Sequence, residues 1–252
     1  MKTWLICIDD TDDICTKGTG EIAEEIATKL AAASAENTGL RSTRYVTRHQ
    51  LLVHPDIPYT SHNSAMCFQI DSSLDFFQIK DICVTHLKQE SATIADPGLA
   101  ILDLEAEFDI RKLIEFGQQT KIEVKTKQQA YELAKAQGVD LTEHGGTGQG
   151  VIGAIAGIGL RLSGQDGRVK GHIKLGQKTD GSDELLMSVE QFIAQTGLQA
   201  VITTEGEILA PHDQLTLKGK IKAVYIQFQF ALLVSNESGC WCNATKQQLK
   251  SY

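Results

Sequence analysis

Apolar residues run without a break from Trp4 to Ile8 and stop at a carboxylate, which predicts a short buried strand. Behind it the period changes. Ile22, Ile26 and Leu30 recur every four residues with alanine between them, so a helix is expected from near Gly20 to about Ser34. The stretches 42–53 and 63–70 alternate well enough to be strands. Residues 75–91 return to helical spacing, with Phe76, Ile79, Ile82, Cys83 and Leu87 on one face. Asp96-Pro97-Gly98 is a turn signal ahead of a strand over 98–104. Asp109 caps a helix running to about Gln118. Thr126 and Gln129 have capping-box spacing before a helix that Gly138 ends. A glycine-rich loop over 144–150 precedes a buried helix that starts at Val151.

Strands alternating with helices predict an α/β (mixed α+β) fold, a mixed sheet with flanking helices. From about Gly164 the character shifts. Residues 164–171 and 177–184 are polar and turn-rich, and 199–214 and 219–234 read as β structure. The expected organisation is a larger α/β domain over 1–170 and a smaller β-rich part over 171–252, with a loose boundary near 165–185.

Composition narrows the class. The 252 residues suit one large domain or two of moderate size, and a hydrophobic fraction of 42% makes the chain an ordinary globular one. The longest apolar run, from Val151, has ten residues including three glycines, too short for a bilayer span; the N-terminal run is too short for a signal peptide. No membrane association is expected, and the chain is placed in the cytoplasm. No two of the six cysteines have Cys-x-x-Cys spacing, and reduced thiols are expected. Cys240 and Cys242 read as free thiols ahead of half of a metal site. The net charge is −8, and it is uneven: residues 1–120 carry 19 acidic and 10 basic side chains, residues 121–252 carry 13 and 14. That balance argues against general nucleic-acid affinity, and the local strip Lys218, Lys220 and Lys222 changes it little.

Charge also concentrates locally. Asp9, Asp10, Asp12 and Asp13 fall within five residues at the end of the first strand. Like charges about 5 Å apart repel by roughly 3 kcal/mol at an effective dielectric near 20. The turn is therefore either solvated or built for a hard cation such as Mg²⁺, which prefers carboxylate oxygen. Gly18, Thr19 and Gly20 follow at a helix start, where free amides and the dipole favour phosphate. Gly146, Gly148 and Gly150 repeat that arrangement before the second buried helix. Each glycine stretch alone is equally an ordinary turn or a close-packing device, and no Walker A spacing occurs. Together with the carboxylates they point to a phosphate-bearing ligand. Residues 54–68 offer two prolines, Tyr59, His54, His62 and Asn63 in a strand connection. They form either a wall for a small substrate or a plain surface loop. Lys17 is either a solvated lysine or a counter-charge for a transferring phosphoryl group.

These motifs, in order, resemble one family, the archaeal tRNA(Ile) agmatinylcytidine synthetases, also called agmatidine synthases. Ile8-Asp9-Asp10-Thr11-Asp12 is similar to its Ile-Asp-Asp-Thr-Asp signature. Thr19 falls where the family carries an autophosphorylated threonine, within Gly18-Thr19-Gly20 in place of Cys-Thr-Thr. His54-Pro55-Asp56-Ile57-Pro58-Tyr59 with Asn63-Ser64-Ala65, Asp96-Pro97-Gly98 and Gly146 to Ala154 match further segments, and Gly206 to Asp213 matches a segment of its ferredoxin-like domain. The family's OB-fold and zinc ribbon, which grip tRNA, have no counterpart in these 252 residues.

The resemblance implies a kinase-like catalytic part using ATP and Mg²⁺ to activate a carbonyl oxygen for attack by an amine. Asp9, Asp10 and Asp12 would hold metal. Asp10, Asp12, Thr19 and Lys17 would carry the chemistry. Gly18, Thr19, Gly20, Gly146, Gly148 and Gly150 would bind the nucleotide, and Tyr59, His62 and Asn63 the acceptor. A small or nucleotide-like acceptor is expected ahead of tRNA, and a homo-oligomer is compatible with the sequence. The rival readings are a nucleotide-binding homologue without chemistry, and a tRNA-modifying subunit served by a separate RNA-binding partner.

Overall fold

A computed structural model describes residues 1–38, 45–57, 63–175 and 184–252. It divides into two compact units, Met1–Ser163 and Gly164–Tyr252. The fold is mixed α+β.

In the first unit the strands are β1 (Lys2–Asp9), β2 (Thr47–Gln50), β3 (Ser64–Ser72), β4 (Gly98–Asp103) and β5 (Asp140–Glu143). They form an antiparallel sheet in the order β5-β4-β1-β3-β2. β1 is central, which explains its unbroken apolar run. Trp4, Ile6 and Ile8 pack under α1 (Thr19–Thr38) and α2 (Phe76–Glu90) on one face. Leu5 and Cys7 pack under α3 (Ile110–Gln119), α4 (Lys127–Gln137) and α5 (Gly150–Leu162) on the other. A strand with one polar face would alternate; this one has no polar face to show.

Helix boundaries follow their caps. Asp75 and Gln78 form a capping box on α2, and Thr126 and Gln129 form the expected one on α4. Gly138 ends α4 with a left-handed φ of 68°. α1 runs to Thr38, past the Ser34 expected from its apolar spacing. β2 is four residues long, shorter than the alternating stretch that contains it. β5 went unforeseen because four residues at a sheet edge carry little periodic signal.

In the second unit the strand order is β6-β10-β11-β12-β9-β7, with β8 on β11. The strands are β6 (Arg168–Val169), β7 (Glu184–Ser188), β8 (Ala200–Thr203), β9 (Gln214–Lys218), β10 (Ala223–Ile226), β11 (Gln229–Glu237) and β12 (Cys240–Asn243). β8 with β11 and β12 with β9 are parallel pairs, so this sheet is mixed. α6 (Val189–Thr196), also unforeseen, has a Ser188–Gln191 capping box and a Gly197 stop. Among the described residues no helix is long and apolar enough to cross a membrane.

Candidate active site

The acidic turn leaves β1 at Asp9, which pairs with Gly98 at the start of β4. On the other side of Gly98 lies Glu143, the last residue of β5. The turn before β4 and the glycine loop before α5 therefore meet beside the carboxylates. His144 N–H donates to the Pro97 carbonyl at 2.8 Å, and Gly150 N–H to that of Asp96 at 3.1 Å. Gly98 and Gly150 touch backbone to backbone, with no room for a Cβ on either. Glycine is a steric requirement here before it is anything else.

Asp9 is 8% exposed and lies over Gly153 of α5, where a side chain would run into its carboxylate. Burial pushes the Asp9 carboxyl well above the usual range, and the charge of Asp10 adds to this. Asp10 is pushed up to about 6 by burial first, then by the charges of Asp96 and Asp12. Asp10 and Cys15 hold left-handed φ angles of 52° and 69°. Strain of this kind persists where surrounding structure over-determines the chain, and often at functional turns.

Thr19 is buried at the start of α1, and its hydroxyl donates to Asp12 Oδ1 at 2.8 Å. Gly18 accepts from Glu21 N–H at 2.8 Å and so opens the helix; nothing lies within 4 Å of where a Cβ would stand on it. Gly20 is buried in the first turn. Lys17 Nζ bridges Glu25 of α1 and Glu90 of α2, each at 2.7 Å. Those two carboxylates, Glu25 first, raise its pKa. Glu25 also meets His86 Nε2 at 2.8 Å, so the lysine is anchored into a network between the two helices.

The glycine loop already holds an anion. Thr147 N–H and Gly148 N–H both donate to Asp96 Oδ1, the second at 3.3 Å, and Thr147 Oγ1 donates to Asp96 Oδ2 at 2.6 Å. Gly146, with φ 53°, has no space for a side chain against that carboxylate. On the outer side Lys127 Nζ donates to the Thr147 carbonyl at 2.7 Å and pairs with Glu143 at 2.8 Å. The loop is an amide nest of the kind that suits phosphate, and its occupant is Asp96. Sequence reasoning took Asp96 for a turn residue only; the Asp-Pro-Gly signal located it without revealing its partner 51 residues away.

Of the expected acceptor wall, Tyr59 and His62 lie outside the described residues. Asn63 precedes β3, and its Nδ2 donates to the Leu52 carbonyl at 2.7 Å. His54 is a loop residue whose Nδ1 accepts from Asp56 N–H at 3.2 Å. Cys240 is exposed and Cys242 buried, and neither forms a disulfide.

A divalent cation suits the acidic turn chemically. All its donors are oxygens, burial and mutual repulsion act on them, and the buried hydroxyl of Thr11 has no hydrogen-bond partner among the described residues. Among those residues no three acidic, imidazole or thiol side chains enclose one point. Mg²⁺ does not require that: it commonly takes one or two carboxylates, keeps several waters, and completes its shell with phosphate oxygens.

Neither a protein-family model nor a curated protein matches the sequence. Solved structures do match the fold. TiaS in complex with its isoleucine tRNA and ATP aligns with a TM-score of 0.52 at 19% identity, over 75% of this chain and 39% of that one. Apo TiaS, a tRNA agmatidine synthetase, aligns at 0.51 and 19%, over 75% and 38%. A tRNA fluorescent labeling enzyme aligns at 0.50 and 23%, over 63% and 36%. The chain therefore spans under two fifths of the length of these proteins and shares the fold of the part it covers.

Proposed function

We propose that this chain is an Mg²⁺- and ATP-dependent enzyme that activates an oxygen of a nucleotide-like acceptor, and that the acceptor is part of an RNA. The observation that carries the reading is the acidic turn, where Asp9, Asp10 and Asp12 crowd at the end of β1 with the Thr19 hydroxyl on Asp12. The fold shared with an ATP- and tRNA-bound synthetase supports it, as does the order of the motifs.

In this reading the cation would take one or two of the carboxylates of Asp9, Asp10 and Asp12, with water and phosphate oxygens completing its shell, and would neutralise phosphate charge and polarise the transferring group. Asp12 orients Thr19 Oγ1 and is placed to take its proton if that oxygen attacks the γ-phosphorus of ATP, in which case the bond to the bridging oxygen breaks and ADP leaves. The open space at Gly18 lets phosphate approach the start of α1. Asp96 keeps the glycine loop in shape and adds negative charge opposite Asp10.

The test is phosphorus NMR of the protein with Mg²⁺ and ATP, with and without a cytidine-bearing RNA and agmatine. Slow ATP breakdown, lost on chelation and in Asp10→Asn, is the expected result. Asparagine tolerates the left-handed φ at this position, so the variant keeps its fold. Retained turnover in that variant would sink the metal assignment.

A second reading, nucleotide binding without chemistry, is favoured by the tying of Lys17 to Glu25 and Glu90, which takes it away from a transferring phosphoryl group. ATP bound but intact with every acceptor would establish it.

A further inference from the structure

Cys7 of β1 and Cys67 of β3 stand directly opposite each other in the sheet of the first unit. The kind of pairing follows from two backbone contacts. Leu104 N–H donates to the Thr3 carbonyl at 2.9 Å, so Thr3, Leu5 and Cys7 turn their backbone groups toward β4. Leu51 N–H donates to the Asn63 carbonyl at 2.9 Å, so Asn63, Ala65 and Cys67 turn theirs toward β2. From that same side the Thr47 hydroxyl donates to the Cys67 carbonyl at 3.0 Å. The two cysteines therefore exchange no backbone hydrogen bond with each other. In such a pair the Cα atoms are about 4.5 Å apart and the side chains come closest. A disulfide takes Cα atoms roughly 4.4–6.8 Å apart, so this site admits one without moving the strands.

Both side chains lie on the α5 face, in one core cluster, and both are fully buried. Their thiols are in hydrogen-bonding contact. Small residues surround Cys7: a Cβ on Gly157 would stand 2.3 Å from its Sγ and 3.0 Å from the Ala65 Cβ. No other cysteine competes for either partner. Cys83 packs in the cluster on the opposite face of the sheet, Cys15 is exposed beyond the acidic turn, and Cys240 and Cys242 belong to the second unit. A single buried thiol commonly serves only as a small apolar group. Two of them in contact, in register, at the one kind of cross-strand position that admits a disulfide are more than packing requires.

We propose that Cys7 and Cys67 are a modification site, a dithiol that hydrogen peroxide closes to a reversible cross-strand disulfide. One sulfur attacks a peroxide oxygen and the O–O bond breaks. The leaving hydroxide takes the thiol proton, giving water and a sulfenic acid. The second sulfur then attacks the sulfenic sulfur. The S–S bond forms, the S–O bond breaks, and the hydroxide leaves with the second thiol proton as a second water. Two thiols lose two electrons and one peroxide gains them. Burial slows the first step and restricts it to an oxidant as small as peroxide. The second step is fast, because the resolving thiol is already in contact, and this diverts the sulfenic acid from further oxidation. The product ties β1 to β3 two residues before Asp9, through residues 60 positions apart in the chain. A cross-link of that reach stabilises the fold by restricting the unfolded chain. The site stands independently of the enzyme reading above.

The test is overnight treatment of the folded full chain with hydrogen peroxide, then alkylation and peptide mapping by mass spectrometry. A Cys15→Ser, Cys240→Ser background removes the two exposed thiols, which could link one molecule to another. The map should show Cys7 joined to Cys67 with the loss of two hydrogen atoms, and dithiothreitol should restore both thiols. In calorimetry the oxidised Met1–Ser163 unit should melt about 5–10 °C higher, with the other transition unmoved. Cys67→Ala, and separately Cys7→Ala, should lose both the linkage and the shift, whereas Cys83→Ala should keep them. The map of the chain with both cysteines present decides the matter even where an alanine variant fails to fold. Thiols still free after treatment, oxidation that ends at sulfinic acid, a linkage to Cys83, or a Cys7–Cys67 linkage that forms only in urea would each overturn the site.

Discussion

His144 sits between β5 and the glycine loop with its Nε2 2.8 Å from Thr142 Oγ1. Burial lowers its pKa, and Lys88 and Lys80 push the same way against Asp140. The folded protein therefore keeps this imidazole neutral, whereas an unfolded chain protonates it near pH 6.5. The unfolded state then binds the extra proton, and stability is lost as pH falls through that value. The melting temperature of the wild type should drop between about pH 7.5 and 5.5 by more than that of His144→Gln; equal drops would remove His144 from the acid response. The carboxylates were legible in sequence as a crowded turn, because charge density is a local property. Their partners were not. Lys17 read as a loop cation, and only folding set it between Glu25 and Glu90, residues 8 and 73 positions away. Asp96 read as a turn former, and only folding set it into the amides of Thr147 and Gly148.

α5 carries the clearest lesson at the level of elements. Its glycines suggested close packing or a phosphate loop, and the packing is now explicit. Gly159 lies against the Leu113 carbonyl of α3, and Gly117 of α3 lies against α5, where a Cβ would come 2.8 Å from the Ala156 carbonyl. Both contacts are with backbone, which cannot swing aside as a side chain can. Gly159→Ala should therefore destabilise at the upper end of the roughly 1–3 kcal/mol typical of overpacking, seen as a lower urea midpoint. Gly18→Ala, with open space around it, should leave the midpoint unchanged, so that any loss of ATP binding in that variant reports on the site. Helices with strong apolar spacing or capping pairs were readable, as with α2 and α4. α6 had its capping pair and glycine stop in plain view, but eight residues between strands give periodicity little room to show.

For the molecule as a whole, the net charge of −8 is unevenly spread, and the acidic excess lies in residues 1–120. Four carboxylates gather at the end of β1 in the first unit, and Lys218, Lys220 and Lys222 fall around the connection from β9 to β10 in the second. Two compact units should give two transitions in calorimetry. ATP with Mg²⁺ at about 100 times its dissociation constant should add roughly 2.7 kcal/mol to whichever unit binds it. We expect the transition of Met1–Ser163 to move and the other to stay, and a shift confined to the second transition would place the nucleotide elsewhere. The sequence by itself determined what depends on near neighbours: the buried strand before the acidic turn, the amphipathic and capped helices, the glycine positions, and the change of character near Gly164. Tertiary structure alone decided which of those features face one another. Asp96 met the glycine loop and residues 168–173 met 221–224 across some fifty positions. Contacts between distant segments follow from the packing of whole layers, and no local pattern encodes them.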